Sequence, residues 1–142
     1  MLALLDVNVL IALFDVEHTA HQRAQQWLRA NVDAGWATCP ITQNGVIRIM
    51  SHPAYPRATS TEDMTVRLRA ATADPSHRFL SDSISLTDER RVRSERLLTA
   101  AITTDIYLLA LAVANHARFV TFDRNVSLRA VVGATAAHLV ML

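Results

Sequence analysis

The stretch Met1-Leu2-Ala3-Leu4-Leu5-Asp6-Val7-Asn8-Val9-Leu10-Ile11-Ala12-Leu13-Phe14 sets two polar residues inside an almost unbroken apolar run. Leu2–Leu5 has the length and character of a strand buried on both faces, as parallel sheets require. Val7–Phe14 follows as a short helix. Asp6 therefore falls at a joint between two core elements, where an unpartnered carboxylate is costly. Two more acids occupy matching places: Asp105 opens the apolar stretch Ile106–Ala114, and Asp123 follows the run Phe119–Phe122. Each has a plain local alternative, Asp105 as a first-turn acid favoured by a helix dipole and Asp123 as a turn residue. Taken together, three acids beside core elements point to one charged pocket at an edge of a sheet. Such a cluster repels itself unless cations fill it, which implies metal-dependent chemistry on phosphates.

Working outward, Ala20, Ala24, Trp27 and Leu28 recur at helical spacing and predict a second helix over His18–Asn31. After the turn at Asp33–Gly35, Trp36–Cys39 is a short strand, ended by Pro40. Pro40 also suits the start of a third helix carrying Ile41, Val46, Ile47 and Met50 on its apolar side. Ser51–Arg57 contains two prolines and is a loop. Ser60 with Asp63 resembles a capping box for a helix through Val66 and Leu68. From Asp74 to Arg93 the pattern supports only a short strand near Arg78–Leu80 and a loop of mixed polarity. Thr103 or Thr104 caps a helix that is apolar nearly all round and hence buried, ending at Asn115-His116. Arg118–Phe122 and Ala137–Leu142 are the last strands. This alternation predicts an α/β architecture, a parallel sheet with helices on both faces. In such sheets ligands gather beyond the carboxyl ends of strands, where Asp6 and Asp123 fall.

At 142 residues and 51% hydrophobic, the chain is expected to form a single domain over residues 1–142. A formal charge of +1 leaves any attraction to nucleic acid to local patches. All 14 basic residues are arginine, and no lysine is present. That disfavours response-regulator receivers and haloacid-dehalogenase phosphatases, which also place aspartates at strand ends but need a lysine near the phosphoryl group. The second family also needs Asp-x-Asp, and the chain reads Asp6-Val7-Asn8. A Walker loop needs Gly-Lys and is absent. Cys39, the one cysteine, excludes an intrachain disulfide and a thiolate zinc site, and its apolar neighbours suit a small core residue. The apolar amino terminus carries no preceding basic residue and is broken by Asp6, unlike a secretory signal. No run approaches the ~20 apolar residues of a membrane span. A cytoplasmic location is expected.

The chemistry that survives is phosphodiester hydrolysis at a magnesium site, with manganese as a substitute. Hard cations prefer carboxylate oxygens, lower the pKa of a bound water and neutralise charge on the phosphate. Asp6, Asp105 and Asp123 are the candidate ligands, and Asn8 would orient the first carboxylate or a bound water. Thr104 and Thr121 either add hydroxyl contacts to the pocket or serve as an ordinary cap and strand residue. Arg124, directly after Asp123, and Arg48 on the third helix are candidate rim contacts to substrate. Arg90, Arg91, Arg93 and Arg96 form the densest basic group, either a solvated helix end or a patch steering an RNA backbone. His18 and His21 lack a third zinc ligand nearby and are expected on an exposed helix face. Trp27 fits a core helix position and Trp36 a place beside a strand.

Leu-Leu-Asp6-Val-Asn8-Val-Leu, Thr104-Asp105-Ile-Tyr-Leu-Leu-Ala-Leu-Ala and Val-Thr121-Phe-Asp123-Arg together resemble the PIN-domain nucleases. More narrowly, the chain is similar from end to end to the VapC-type ribonuclease toxins of bacterial toxin–antitoxin pairs. The resemblance implies a PIN-like (Rossmann-like) three-layer sandwich around a short parallel sheet, magnesium-dependent endonuclease action on RNA, inhibition by a cognate VapB-type antitoxin, and a homodimer. It maps the principal metal-binding aspartates onto Asp6 and Asp105, the later acid onto Asp123 and the polar partner onto Asn8. One departure stands out. The family carries a glutamate on the third helix in a Thr-x-x-Glu setting, whereas Pro40-Ile-Thr42-Gln43-Asn44-Gly45-Val contains no acid. Either Gln43 or Asn44 supplies a neutral oxygen there, or the site works with three carboxylates. A PIN-like protein that binds RNA or antitoxin without cutting is the alternative this departure favours.

Overall fold

The computed structural model describes residues 1–97 and 99–142. Among them, β1 (Ala3–Leu5), β2 (Trp36–Thr38), β3 (His77–Phe79), β4 (Arg118–Thr121) and β5 (Leu139–Met141) form one parallel sheet. Its order is β3-β2-β1-β4-β5. The chain runs outward from β1 to β3, then returns to lay β4 and β5 on the other side. The order reverses between β1 and β4, so the crevice beyond their carboxyl ends is the place a doubly wound sheet reserves for ligands.

Alternation along β1 divides the core. Ala3 and Leu5 pack on one face with Trp36 and Val120, under α1 (Val7–Phe14), α2 (His21–Asn31), α3 (Pro40–Met50) and α4 (Thr61–Thr72). Leu4 turns the other way with Ala37 and Phe119, beneath α5 (Thr103–Ala114). The expected three layers are therefore present. Ile106 to Ala112 are all buried, because Ile84, Leu86 and Val92 from the 80–97 loop close over the helix from outside. An antiparallel bridge between Val92 and Val131 pins that loop. Each fully buried leucine contributes about 1.5–3 kcal/mol.

Several boundaries differ from expectation for local reasons. β1 begins at Ala3 rather than Leu2, and β4 ends at Thr121 rather than Phe122. α2 begins at His21 rather than His18, because side chains hold residues 15–20 in turns: Asp15 accepts from the Glu17 N–H at 3.1 Å and His18 Nδ1 from the Ala20 N–H at 3.1 Å. His18 and His21 are half-buried rather than exposed, and His21 Nδ1 lies 2.7 Å from the Ala12 carbonyl. β3 starts one residue early, after a turn in which Ser76 donates N–H and hydroxyl to Asp74. Neither threonine caps α5: the helix takes in both, and Ile102 stands at its N-cap without a side-chain bond. β5 is only three residues long because Ala136–His138 form a single 3-10 turn. Ser60 does cap α4, accepting from the Asp63 N–H at 2.9 Å. Cys39 is fully buried, and burial pushes its thiol pKa up. Trp36 is buried in β2 and tilts against His77 with ring centroids 4.5 Å apart, while Trp27 lies under the Arg118 guanidinium. No helix among the described residues is long and apolar enough to cross a membrane.

Candidate active site

The register of β1 on β4 places Leu5 beside Val120, so the next residues, Asp6 and Thr121, face each other at the switch point. Asp6 is 6% exposed and serves as the N-cap of α1, its Oδ1 accepting from the Val7 N–H at 2.7 Å. The Thr121 hydroxyl donates to Asp6 Oδ2 at 2.5 Å. The Thr121 hydroxyl oxygen itself accepts from the Asn8 side-chain amide at 3.1 Å and from the Asp123 N–H at 3.0 Å. The Asn8 carbonyl accepts in turn from the Phe122 N–H at 3.3 Å. Thr121, fully buried, is thus a hub that orients three of the expected residues. Asn8 steers Asp6 mostly through this hub.

Asp105, in the first turn of α5, completes the set from the other side. Burial, then the charges of Asp6 and Asp123, push its pKa up to about 6. Burial likewise raises the Asp6 pKa, with the Asp123 charge adding to it and the bonds from Thr121 and Val7 opposing. The three acids are therefore near enough for their charges to act on one another. They do not converge as tightly as expected: among the described residues, no three His, Cys, Asp or Glu side chains stand close enough to hold an ion as placed. The hydrogen bonds explain the separation. Both Asp6 oxygens are tied within their own neighbourhood, and Asp123 Oδ1 accepts from the Asn125 N–H at 2.7 Å. Uncompensated like charges gain nothing by approaching further.

The set nevertheless fits a hard divalent cation. Its donors are all oxygens, and among the described residues the only ion pairs are Arg57–Asp15 and Arg90–Asp88, so no guanidinium neutralises this cluster.

A hollow of about 500 Å³ opens beside Asp6 and Thr104, bounded by Val7, Pro40, Ile41, Asn44, Gly45, Arg48 and Ile49. The lining of this hollow separates residues that the sequence left as alternatives. Thr104 is exposed and lines the hollow, and of the two amides on α3 it is Asn44 that does so. Gln43 turns away, its amide donating to the Thr38 hydroxyl, which also meets His77 Nε2, at 2.9 Å each. The fourth residue of Thr-x-x-Glu counted from Thr42 is Gly45, where a Cβ would come within 2.6 Å of Val7 Cγ2. Close packing of α3 on α1 thus penalises a side chain at that position, since Val7 must shift to admit even a methyl group. A glycine in mid-helix costs stability, and that cost was the one sequence sign of this contact. The walls Pro40, Ile41 and Ile49 gave no such sign. Arg48 borders the hollow, while Arg124 is exposed beyond Asp123. In the remote basic group, Arg90 is bound to Asp88 and Arg93 donates to the Arg129 carbonyl.

Comparison with known proteins agrees with this fold. The PIN domain family model matches residues 3–132. Ribonuclease VapC44 of Mycobacterium tuberculosis is 47% identical over 142 residues, covering the whole of both chains. Ribonuclease VapC38 of the same organism is 40% identical over 88% of this chain and 87% of its own. Among solved structures, VapBC2 from Rickettsia felis, bound to a DNA fragment from their promoter, superposes with a TM-score of 0.60 at 15% identity. It covers 87% of this chain and 89% of that chain, a likeness of fold. The chain belongs to the PIN-domain family, among its VapC proteins.

Proposed function

We propose that this protein is the toxin of a toxin–antitoxin pair, a magnesium-dependent endoribonuclease working in the cytoplasm. The observation that carries the reading is a set of three mutually repelling acids at the sheet's switch point with no guanidinium paired to them among the described residues. Relatives that match along most or all of the chain bear the name ribonuclease. Asp6 and Asp105 would hold the cation, and Asp123 would serve as a further ligand or orient water. Bound there, magnesium or manganese would neutralise charge on the phosphodiester and make an attacking water more acidic. Thr121 keeps Asp6 aimed, and Asn8 braces Thr121. Thr104, Arg48 and Arg124 offer donors to the RNA backbone. A VapB-type antitoxin is the expected inhibitor, supported by the VapBC character of the structural neighbour, and the active species is taken to be a homodimer.

A second reading, a PIN protein that binds RNA or antitoxin without cutting, is favoured by one feature. α3 brings no acid to the site, since Pro40–Met50 contains no Asp or Glu. Purified protein with magnesium should cleave an RNA with unpaired loops, and Asp6→Ala should lower the rate by at least about a hundredfold. Cleavage that survives this substitution, or excess chelator, would reject the metal mechanism. Folded protein that binds RNA but cuts none in magnesium would establish the second reading.

A further inference from the structure

The hollow beside Asp6 is walled mainly by apolar side chains, Val7, Pro40, Ile41 and Ile49, with polar groups only from Asp6, Asn44, Arg48 and Thr104. A site built to grip phosphates alone would be lined with donors and cations. Apolar walls with one amide and one guanidinium suit a flat heteroaromatic ring whose edge carries donors and acceptors. Asn44 and Arg48 stand four residues apart on α3, hence on the same face, and both are exposed. Arg48 also borders two adjoining hollows, one of about 440 Å³ reaching Ser51 and His52, the other of about 260 Å³ reaching Tyr55 and Pro56. The three together form a track along α3 whose charged lining is Asp6 at one end and Arg48 beyond it. That polarity suits a polyanion entering past Arg48 and ending at the acids.

We infer that the hollow is a nucleobase subsite: it takes one unpaired base of a single-stranded RNA segment, with Asn44 meeting the base edge and Arg48 the adjoining phosphate. A base held in a duplex cannot enter such a hollow, so the substrate segment is a loop or a single strand. The inference rests on the nuclease reading only for placing the scissile phosphate at the Asp6 end.

The test uses fluorescent RNA hairpins whose loop is intact or lacks one base, each loop position in turn. Full-length protein is titrated with each in chelator and followed by anisotropy, so that nothing is cut. Wild type should bind the intact loop at least about tenfold tighter than the hairpin lacking the base at one position. Asn44→Trp, which closes the hollow with an indole from an exposed position, should bind the two alike, its fold checked by circular dichroism. Arg48→Ala should weaken both by a common factor. Equal affinity of wild type for all hairpins, or no binding, overturns the subsite and leaves the hollow to an apolar side chain of a protein partner. A base preference that persists in folded Asn44→Trp overturns it too. Cleavage in magnesium is scored separately: base-dependent binding without cutting removes the nuclease and keeps the subsite, and cutting without base dependence does the reverse.

Discussion

Helix α1 is bracketed by two buried aspartates that differ in almost everything else. Asp6 at its N-terminus is 6% exposed and Asp15 at its C-terminus 5% exposed. The helix dipole alone would favour charge on the first and oppose it on the second. The observed order is reversed. The Arg57 guanidinium, donating through Nε and Nη2 at 2.6–2.9 Å, holds the Asp15 carboxyl well below the usual carboxylate range, with the Tyr55 hydroxyl at 2.5 Å helping. Asp6 meets only neutral donors, and burial raises its pKa. One end of the helix has its charge answered within the chain, binding α1 to the 51–57 loop. The other is built of acids that pair with no arginine among the described residues. A fold that supplies an arginine at one end and withholds it at the other marks the second end as the candidate functional site.

The largest consequence concerns stability. Asp15→Ala strands Arg57 and Tyr55 and should cost about 2–4 kcal/mol in denaturant unfolding. Asp105→Asn, by contrast, should stabilise the metal-free protein at pH 7 by on the order of 1 kcal/mol, after allowance for solvent screening. If both substitutions destabilise alike, the contrast between the two ends is wrong.

The pH dependence sharpens the same point with opposite signs. Asp105 has a folded-state pKa of about 6, above the ordinary 3.8, so its contribution is fully present below pH 3.8 and lost as pH rises through 6. Asp15 has a depressed folded-state pKa, so its contribution is present above 3.8 and lost as pH falls toward the lower value. Thermal unfolding of the metal-free protein between pH 5 and 7 should therefore lose less stability in Asp105→Asn than in wild type. In Asp15→Asn the loss below pH 4 should shrink instead. The smaller test is Gly45→Ala, whose new Cβ meets Val7. A loss of about 1–3 kcal/mol is expected, checked by urea titration, together with a smaller hollow beside Asp6.

Much of this arrangement is legible in the chain. The apolar runs around Asp6, Asp105 and Asp123 mark their joints because buried parallel strands and a buried helix admit little else, and α1 runs over the residues its pattern indicated. Helical phase was harder. Gln43 and Asn44 are neighbours in sequence yet point to Thr38 and to the hollow respectively, a difference of about 100° around the helix. The 80–97 loop has no period to read, since its Ile84, Leu86 and Val92 are placed by α5 rather than by one another. The Asp15–Arg57 pair spans 42 positions, and nothing local announces it.

The central claim is that the acids at the carboxyl end of β1 and β4 await a divalent cation. Magnesium titrated calorimetrically into wild type, Asp105→Asn and Asp15→Asn is the most direct measurement. The account predicts saturable heat for wild type and Asp15→Asn, each first shown to be folded, and none for Asp105→Asn. Equal heats from wild type and Asp105→Asn, or no heat from folded wild type, would contradict it.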